Sequence, residues 1–206
     1  MAFAIIDYGM GNLTSVLNAV ESLGQRGDII QNANRLIDYQ AVILPGVGAF
    51  GHGIENLRKS GWVTALNEFV IDRGRPFLGL CLGMQLLATS GCEHGFHQGL
   101  NWIPGIVEKL STKHATVRLP HIGWNEVQLI QKNSLYRKLG ESQTFYFVHS
   151  YAFHPEDKNV ITGVASHGEK FVASIEKDNI FATQYHPEKS QKAGLAVLNN
   201  FLDKAA

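Results

Sequence analysis

Apolar residues along this chain come in two textures. Short stretches at 3–7, 28–31, 41–44 and 77–80 carry adjacent apolar residues rather than strict polar alternation, with Asp7, Asp28 and Gln31 at the margins of the first two, which predicts buried strands. Between them, apolar positions recur at helical spacing. Leu13, Val16, Leu17, Val20 and Leu23 form one stripe, with Asn12 as candidate N-cap and Gly24 as candidate stop. Val63, Leu66, Phe69 and Val70 form another, ending near Gly74. Strand and helix therefore alternate through the first half. This predicts an α/β fold with a mostly parallel central sheet flanked by helices.

From Gly105 onward the pattern changes. The stretches 106–110, 116–119, 125–130, 145–148, 160–165, 171–175 and 180–184 are short and strand-like, with little helical spacing between them. Additional antiparallel strands are expected in this second half, before Leu195, Leu198 and Leu202 close the chain with a helix. No linker, repeat or low-complexity tract interrupts the sequence, so one domain over 1–206 is expected, long enough for a sizeable core.

Composition narrows the function classes. Eighteen Lys and Arg balance eighteen Asp and Glu, which argues against a nucleic-acid or anionic-membrane partner. No apolar run approaches a membrane span. The N-terminal apolar stretch stops at Asp7 without a preceding basic region, so no signal peptide is expected. Two cysteines, Cys81 and Cys92, imply no disulfide framework, and a cytoplasmic location is the simplest expectation. Nine histidines raise the question of metal. No His-x-x-x-His or Cys-x-x-Cys pair is present, so neither a metal nor another cofactor is expected. Gly9 and Gly11 follow the first strand without the third glycine of a dinucleotide fingerprint.

The candidate chemistry centres on Gly79-Leu80-Cys81-Leu82-Gly83. A glycine on either side of Cys81, between a strand and a helix expected from Leu82 to about Ser90, is the pattern of a nucleophile elbow. The tight turn brings the flanking positions against neighbouring backbone, which favours glycine. A helix N-terminus at the sulfur favours the thiolate. Far downstream, His186 and Glu188 flank Pro187 in a segment leaving a strand. Extended geometry would put both on one side, so the carboxylate can hold one imidazole nitrogen while the other faces a thiol. Pro45-Gly46-Val47-Gly48 sits at the end of the third strand, where ligand sites of open α/β sheets lie, and its glycines suit an oxyanion hole. From spacing alone, Gln85 is an ordinary helix-surface residue and Trp124 simple core.

These motifs, with Asp7-Tyr8-Gly9-Met10-Gly11-Asn12, Pro120-His121-Ile122-Gly123-Trp124-Asn125 and Phe147-Val148-His149-Ser150-Tyr151, resemble the triad (class I) glutamine amidotransferases, and among them the glutaminase subunits of imidazole glycerol phosphate synthases. The resemblance implies L-glutamine as substrate and Cys81, His186 and Glu188 as triad. It implies backbone N–H groups of Val47 and Leu82 as the oxyanion hole. Gly48, Gln85 and a loop of His149, Ser150 and Tyr151 would contact the substrate. Asn12, Trp124 and Lys189 would face a separate (β/α)-barrel cyclase subunit in a heterodimer of the histidine pathway. The rival expectations are another amidotransferase glutaminase, a non-catalytic binding protein on the same fold, or a Cys peptidase. The 120–125 motif speaks against the first, the intact triad against the second, and Gln85 with His149-Ser150-Tyr151 against the third.

Overall fold

The computed structural model describes residues 2–112, 117–131 and 133–205. The first half runs β1 (Phe3–Ile6), α1 (Leu13–Ser22), β2 (Gly27–Ile30), β3 (Ala41–Leu44), α2 (Phe50–Lys59), α3 (Trp62–Leu66), β4 (Phe77–Leu80) and α4 (Leu82–Gln85). The second half runs β5 (Ser90–Gly91), β6 (His97–Gln98), β7 (Gly105–Lys109), β8 (His121–Leu129), β9 (Ser142–His149), β10 (Tyr151–Pro155), β11 (Ile161–His167), β12 (Glu169–Lys177), β13 (Ile180–Thr183) and α5 (Gln191–Ala205).

Nine strands form one sheet in the order β2-β1-β3-β4-β13-β12-β11-β8-β9. The five from β2 to β13 are parallel, and the remaining four continue the sheet antiparallel. A smaller sheet, β10-β7-β5-β6, lies apart from it. The period-two alternation of strands sorts side chains to two faces. Ala4, Ile6, Val42 and Leu44 join a core with Phe50, Ile54 and Leu57 of α2 and Trp62 and Leu66 of α3. Phe3, Ile5, Ala41 and Ile43 join a second core with Val16 and Val20 of α1 and Val197, Leu198 and Phe201 of α5. Each large side chain so buried contributes about 1.5–3 kcal/mol relative to exposure. β1, β3 and β4 are thus strands covered on both faces, whereas Ile29 of β2 is exposed.

The structure departs from the sequence reading in several places. Residues 50–59 form α2, a helix for which the sequence reading had no element. Gly53 lets the helix lie directly on Leu82, and Gly51 lets it lie on the His97 ring. Glu93, distant in sequence, accepts the Phe50 N–H at 2.8 Å and supplies the cap that Ala49 lacks. The helix after Cys81 stops at Gln85 rather than near Ser90. The carbonyls of Leu86, Leu87 and Ala88 accept bonds from the N–H groups of Leu100, Trp102 and Asn101 instead of extending the helix. Of the stretch expected as a strand at 116–119, Thr116 lies outside the described residues and 117–119 are not strand. His149 and Tyr151 are not in a loop. They end β9 and begin β10, with Ser150 as the corner between two sheets.

Candidate functional site

Cys81 joins β4 to α4 with φ +52° and ψ −104°. A positive φ costs a non-glycine residue about 1–3 kcal/mol and persists only where the surroundings enforce it. Here they do. The Cys81 N–H donates to Thr183 O at 2.8 Å, and its carbonyl accepts from Met84 and Gln85 N–H groups at 3.0 and 3.2 Å. The flanking glycines are demanded by close approach: a Cβ on Gly79 would lie 2.7 Å from Gly83 O, and one on Gly83 would overlap the Leu44 carbonyl oxygen. With α4 only four residues long, a helix dipole gives the sulfur little support. A side-chain donor does more. Gln184, fully buried, points Nε2 at Cys81 Sγ from 3.5 Å. The thiol in turn donates to Val148 O at 3.8 Å.

His186 and Glu188 meet, but by a different route from the one the sequence suggested. His186 is extended, and Pro187 then opens a 3-10 turn (Pro187–Lys189) that folds Glu188 back onto the imidazole. Nδ1 and Oε1 are 2.8 Å apart, with both side chains almost wholly buried. The ring is anchored through its backbone: His186 N–H donates to Tyr146 O, and Ser190 Oγ donates to His186 O. The buried Nε2 has no hydrogen-bond partner, so one nitrogen remains available. Burial pushes the His186 pKa down, but its pairing with Cys81 and then with Glu188 outweighs this and raises the pKa to about 10.

Around this centre the structure gathers Gln85, His149 and Tyr151. Gln85 is buried, not on a helix surface, and its Nε2 donates to Tyr151 O at 2.9 Å and to Gln184 Oε1 at 3.0 Å. Ser150 O accepts the Leu110 N–H at 2.9 Å. Residues 45–48 follow β3 and reach the elbow, where Gly46 O accepts the Leu82 N–H at 3.4 Å. Gly48 has φ +117°, and Val47 is 40% exposed. Tyr8 brings a buried hydroxyl with no hydrogen-bond partner against Gly46.

Trp124 is 49% exposed rather than core. Its ring centroid lies 6.1 Å from that of Tyr146, over which the exposed Lys189 also sits at 6.0 Å. Asn12 is exposed and caps α1 through the Ser15 N–H at 3.3 Å. Sequence reasoning missed Gln184, His121 and Tyr8 as neighbours of the centre. Gln184 stood two residues before His186, but nothing in its spacing aimed it at the sulfur. Among the described residues no group of three His, Cys, Asp or Glu side chains is placed to hold a metal ion. No helix among them is long and apolar enough to cross a membrane.

The family described as glutamine amidotransferase class-I matches residues 4–205. Relatives named imidazole glycerol phosphate synthase subunit HisH are similar over nearly the whole chain. The one from Aquifex aeolicus is 45% identical, covering 100% of this chain and 98% of its own. The one from Moorella thermoacetica is 44% identical, covering 96% and 92%. The chain belongs to the class I glutamine amidotransferases, with the HisH subunits of imidazole glycerol phosphate synthase. The solved structure of PurLQS from Thermotoga maritima superimposes with a TM-score of 0.78 over 100% of this chain and 99% of that one. A glutamine amidotransferase from the same organism gives 0.69 over 100% and 97%. At 16% and 14% identity these two speak for the fold alone.

Proposed function

We propose that Cys81, His186 and Glu188 perform the glutamine hydrolysis of this family in the present chain. The observation that carries the assignment is a strained elbow at Cys81 with a buried Gln184 N–H on its sulfur, and an electrostatically coupled His186 whose ring is held by Glu188 and keeps Nε2 free. His186, oriented by Glu188 and with its pKa raised by its pairing with Cys81, takes the thiol proton. The thiolate attacks the side-chain amide carbon of glutamine. His186 gives its proton to the departing ammonia, leaving a glutamyl thioester. Water, deprotonated by His186, then releases glutamate and restores the thiol proton to the pair. Glu188 keeps the imidazole in the orientation that serves both steps.

Backbone N–H groups of Val47 and Leu82 stabilise the tetrahedral oxyanion, while Gly48, Gln85, His149, Ser150 and Tyr151 shape the glutamine site. The Leu82 donor is engaged by Gly46 O, so the hole is incomplete until the Gly46–Val47 peptide turns. One such donor is worth about 100- to 1000-fold in turnover. The chain works as a single domain over 1–206 in the cytoplasm, in a heterodimer with a (β/α)-barrel cyclase. Trp124, Lys189 and Asn12 face that partner, whose ligand favours the turned peptide. Ammonia passes within the complex, and the cyclase makes imidazole glycerol phosphate and an aminoimidazole carboxamide ribonucleotide. Glutamate release from glutamine, measured with and without the cyclase and its nucleotide ligand, tests this. Slow turnover alone and at least about 100-fold stimulation in the liganded complex is expected. Equal rates would remove the switch, and no glutamate under any condition would remove the activity.

A further inference from the structure

The carbonyl oxygen of Tyr151 lies at the start of β10 and accepts two hydrogen bonds, from Gln85 Nε2 and from His149 Nδ1, both at 2.9 Å. A carbonyl can only accept, so it fixes the direction of every bond that follows. On one side, Gln85 must present its amide nitrogen, which also meets Gln184 Oε1 at 3.0 Å. Gln184 is then oriented with Nε2 toward Cys81 Sγ at 3.5 Å. On the other side, His149 must carry its proton on Nδ1, which leaves Nε2 bare. That nitrogen lies 3.1 Å from His121 Nδ1, which must therefore be the N–H donor. His121 Nε2 is in turn an acceptor, and Asn125 Nδ2 stands 3.2 Å away to donate. The second Asn125 N–H donates to Ser166 O at 2.8 Å, and Asn125 Oδ1 accepts the Glu126 N–H at 2.8 Å. Every proton in the chain from Asn125 to the sulfur has a single consistent position.

We infer that His121 is a positioning residue for Cys81: by donating to His149 it locks the Tyr151 carbonyl and, through it, the Gln85–Gln184 pair that aims an N–H at the sulfur. The inference rests on Cys81 being the reacting group. His121 and His149 sit directly opposite each other on β8 and β9, both buried, with His121 stacked on Phe147 and on His167 at 4.1 Å. Burial, with His167 nearby, pulls His121 down to about 4. Burial likewise takes His149 down to about 3 against the pull of its bond to Tyr151 O, aided by His121, His167 and His186. Both rings are therefore neutral at working pH, as the bond directions require. A proton on either would place two N–H groups face to face and open the relay.

The contrast between His121→Phe and His121→Asn tests this. Phenylalanine keeps the stacking and removes both nitrogens. Asparagine keeps a donor where Nδ1 stood. With Cys92→Ser in every protein, the rate of Cys81 alkylation by iodoacetamide at pH 7 is measured on the isolated subunit, and kcat and KM for glutamine on the complex with the cyclase. Alkylation and kcat are expected to fall about tenfold in His121→Phe, with KM within about twofold of its starting value, and to recover to within about threefold in His121→Asn. Wild-type alkylation in a folded His121→Phe protein, or a His121→Asn protein no better than it, overturns the relay. If His121→Phe does not fold, 15N chemical shifts of the unsubstituted protein decide. A proton on His149 Nδ1 and on His121 Nδ1 supports the relay, and either proton on Nε2 overturns it. Alkylation needs no glutamine turnover, so an intact alkylation contrast in a protein without glutaminase activity would overturn the functional reading and leave the relay standing.

Discussion

Acid should destabilise this fold through one buried histidine by an amount that can be worked out. His149 has its pKa lowered from 6.5 to about 3, chiefly because burial disfavours the charged ring. The unfolded chain takes a proton at this position below about pH 6.5, whereas the folded chain refuses it until about pH 3. Stability contributed by the neutral ring is therefore present above pH 6.5 and lost as pH falls through that window, at up to about 1.36 kcal/mol per pH unit. Between pH 6 and pH 4 the loss from His149 comes to about 2 kcal/mol. His186 cannot mask it. Its pKa is raised to about 10, so its contribution is complete below pH 6.5 and disappears only as pH rises through 10. His121, lowered to about 4, and the carboxylates also titrate in acid, so a comparison is needed that changes His149 alone. His149→Asn keeps a donor for Tyr151 O and removes the titration. Urea unfolding at pH 6 and pH 4, extrapolated to water, gives the stability of both proteins. The unsubstituted protein should lose about 2 kcal/mol more than His149→Asn over that interval. Parallel losses would refute the assignment of His149 as a buried neutral ring.

Gly83→Ala should destabilise by more than about 3 kcal/mol in urea unfolding, because the new Cβ overlaps the rigid Leu44 carbonyl, and a variant of native stability would contradict the packing of the elbow. Cys81→Ala should keep the fold and lose all glutamine turnover, while the complex still works with free ammonia. Glu188→Gln should lose less than His186→Ala, and adding it to Cys81→Ala should cost nothing further in a steady-state assay. Lys189→Glu and Trp124→Ala should each weaken cyclase binding in titration calorimetry, the second by about 2 kcal/mol, with thermal unfolding of the isolated subunit unchanged.

Much of the architecture was legible because buried strands and amphipathic helices write different periods into the sequence. The runs at 41–44 and 77–80 coincide with β3 and β4, and Asn12 caps α1 as its spacing suggested. Helix α2 was not legible, since its glycines serve close packing on Leu82 and its cap is Glu93, remote in sequence. The early end of α4 was hidden for a similar reason: the loop at 100–102 takes the carbonyls that would have continued it. At the site, the glycines around Cys81 spoke plainly because both are forced by backbone contact. Glu188 was placed correctly beside His186, but through a 3-10 turn rather than extended chain. The polar groups that brace the sulfur, Gln184 and beyond it Gln85, His149 and His121, come from α4, β8, β9 and the end of β13. Their meeting depends on tertiary register, which no local pattern records.

All of the proposed chemistry depends on Cys81 being the group that attacks the glutamine amide. An electrophilic glutamine analogue, incubated with the complex and followed by intact-mass and peptide mapping, tests it most directly. One adduct per chain is expected, carried on Cys81, blocked by excess glutamine and absent in His186→Ala at matched times. An adduct on the exposed Cys92 instead, or no adduct on Cys81 while glutamine is still being hydrolysed, would contradict it.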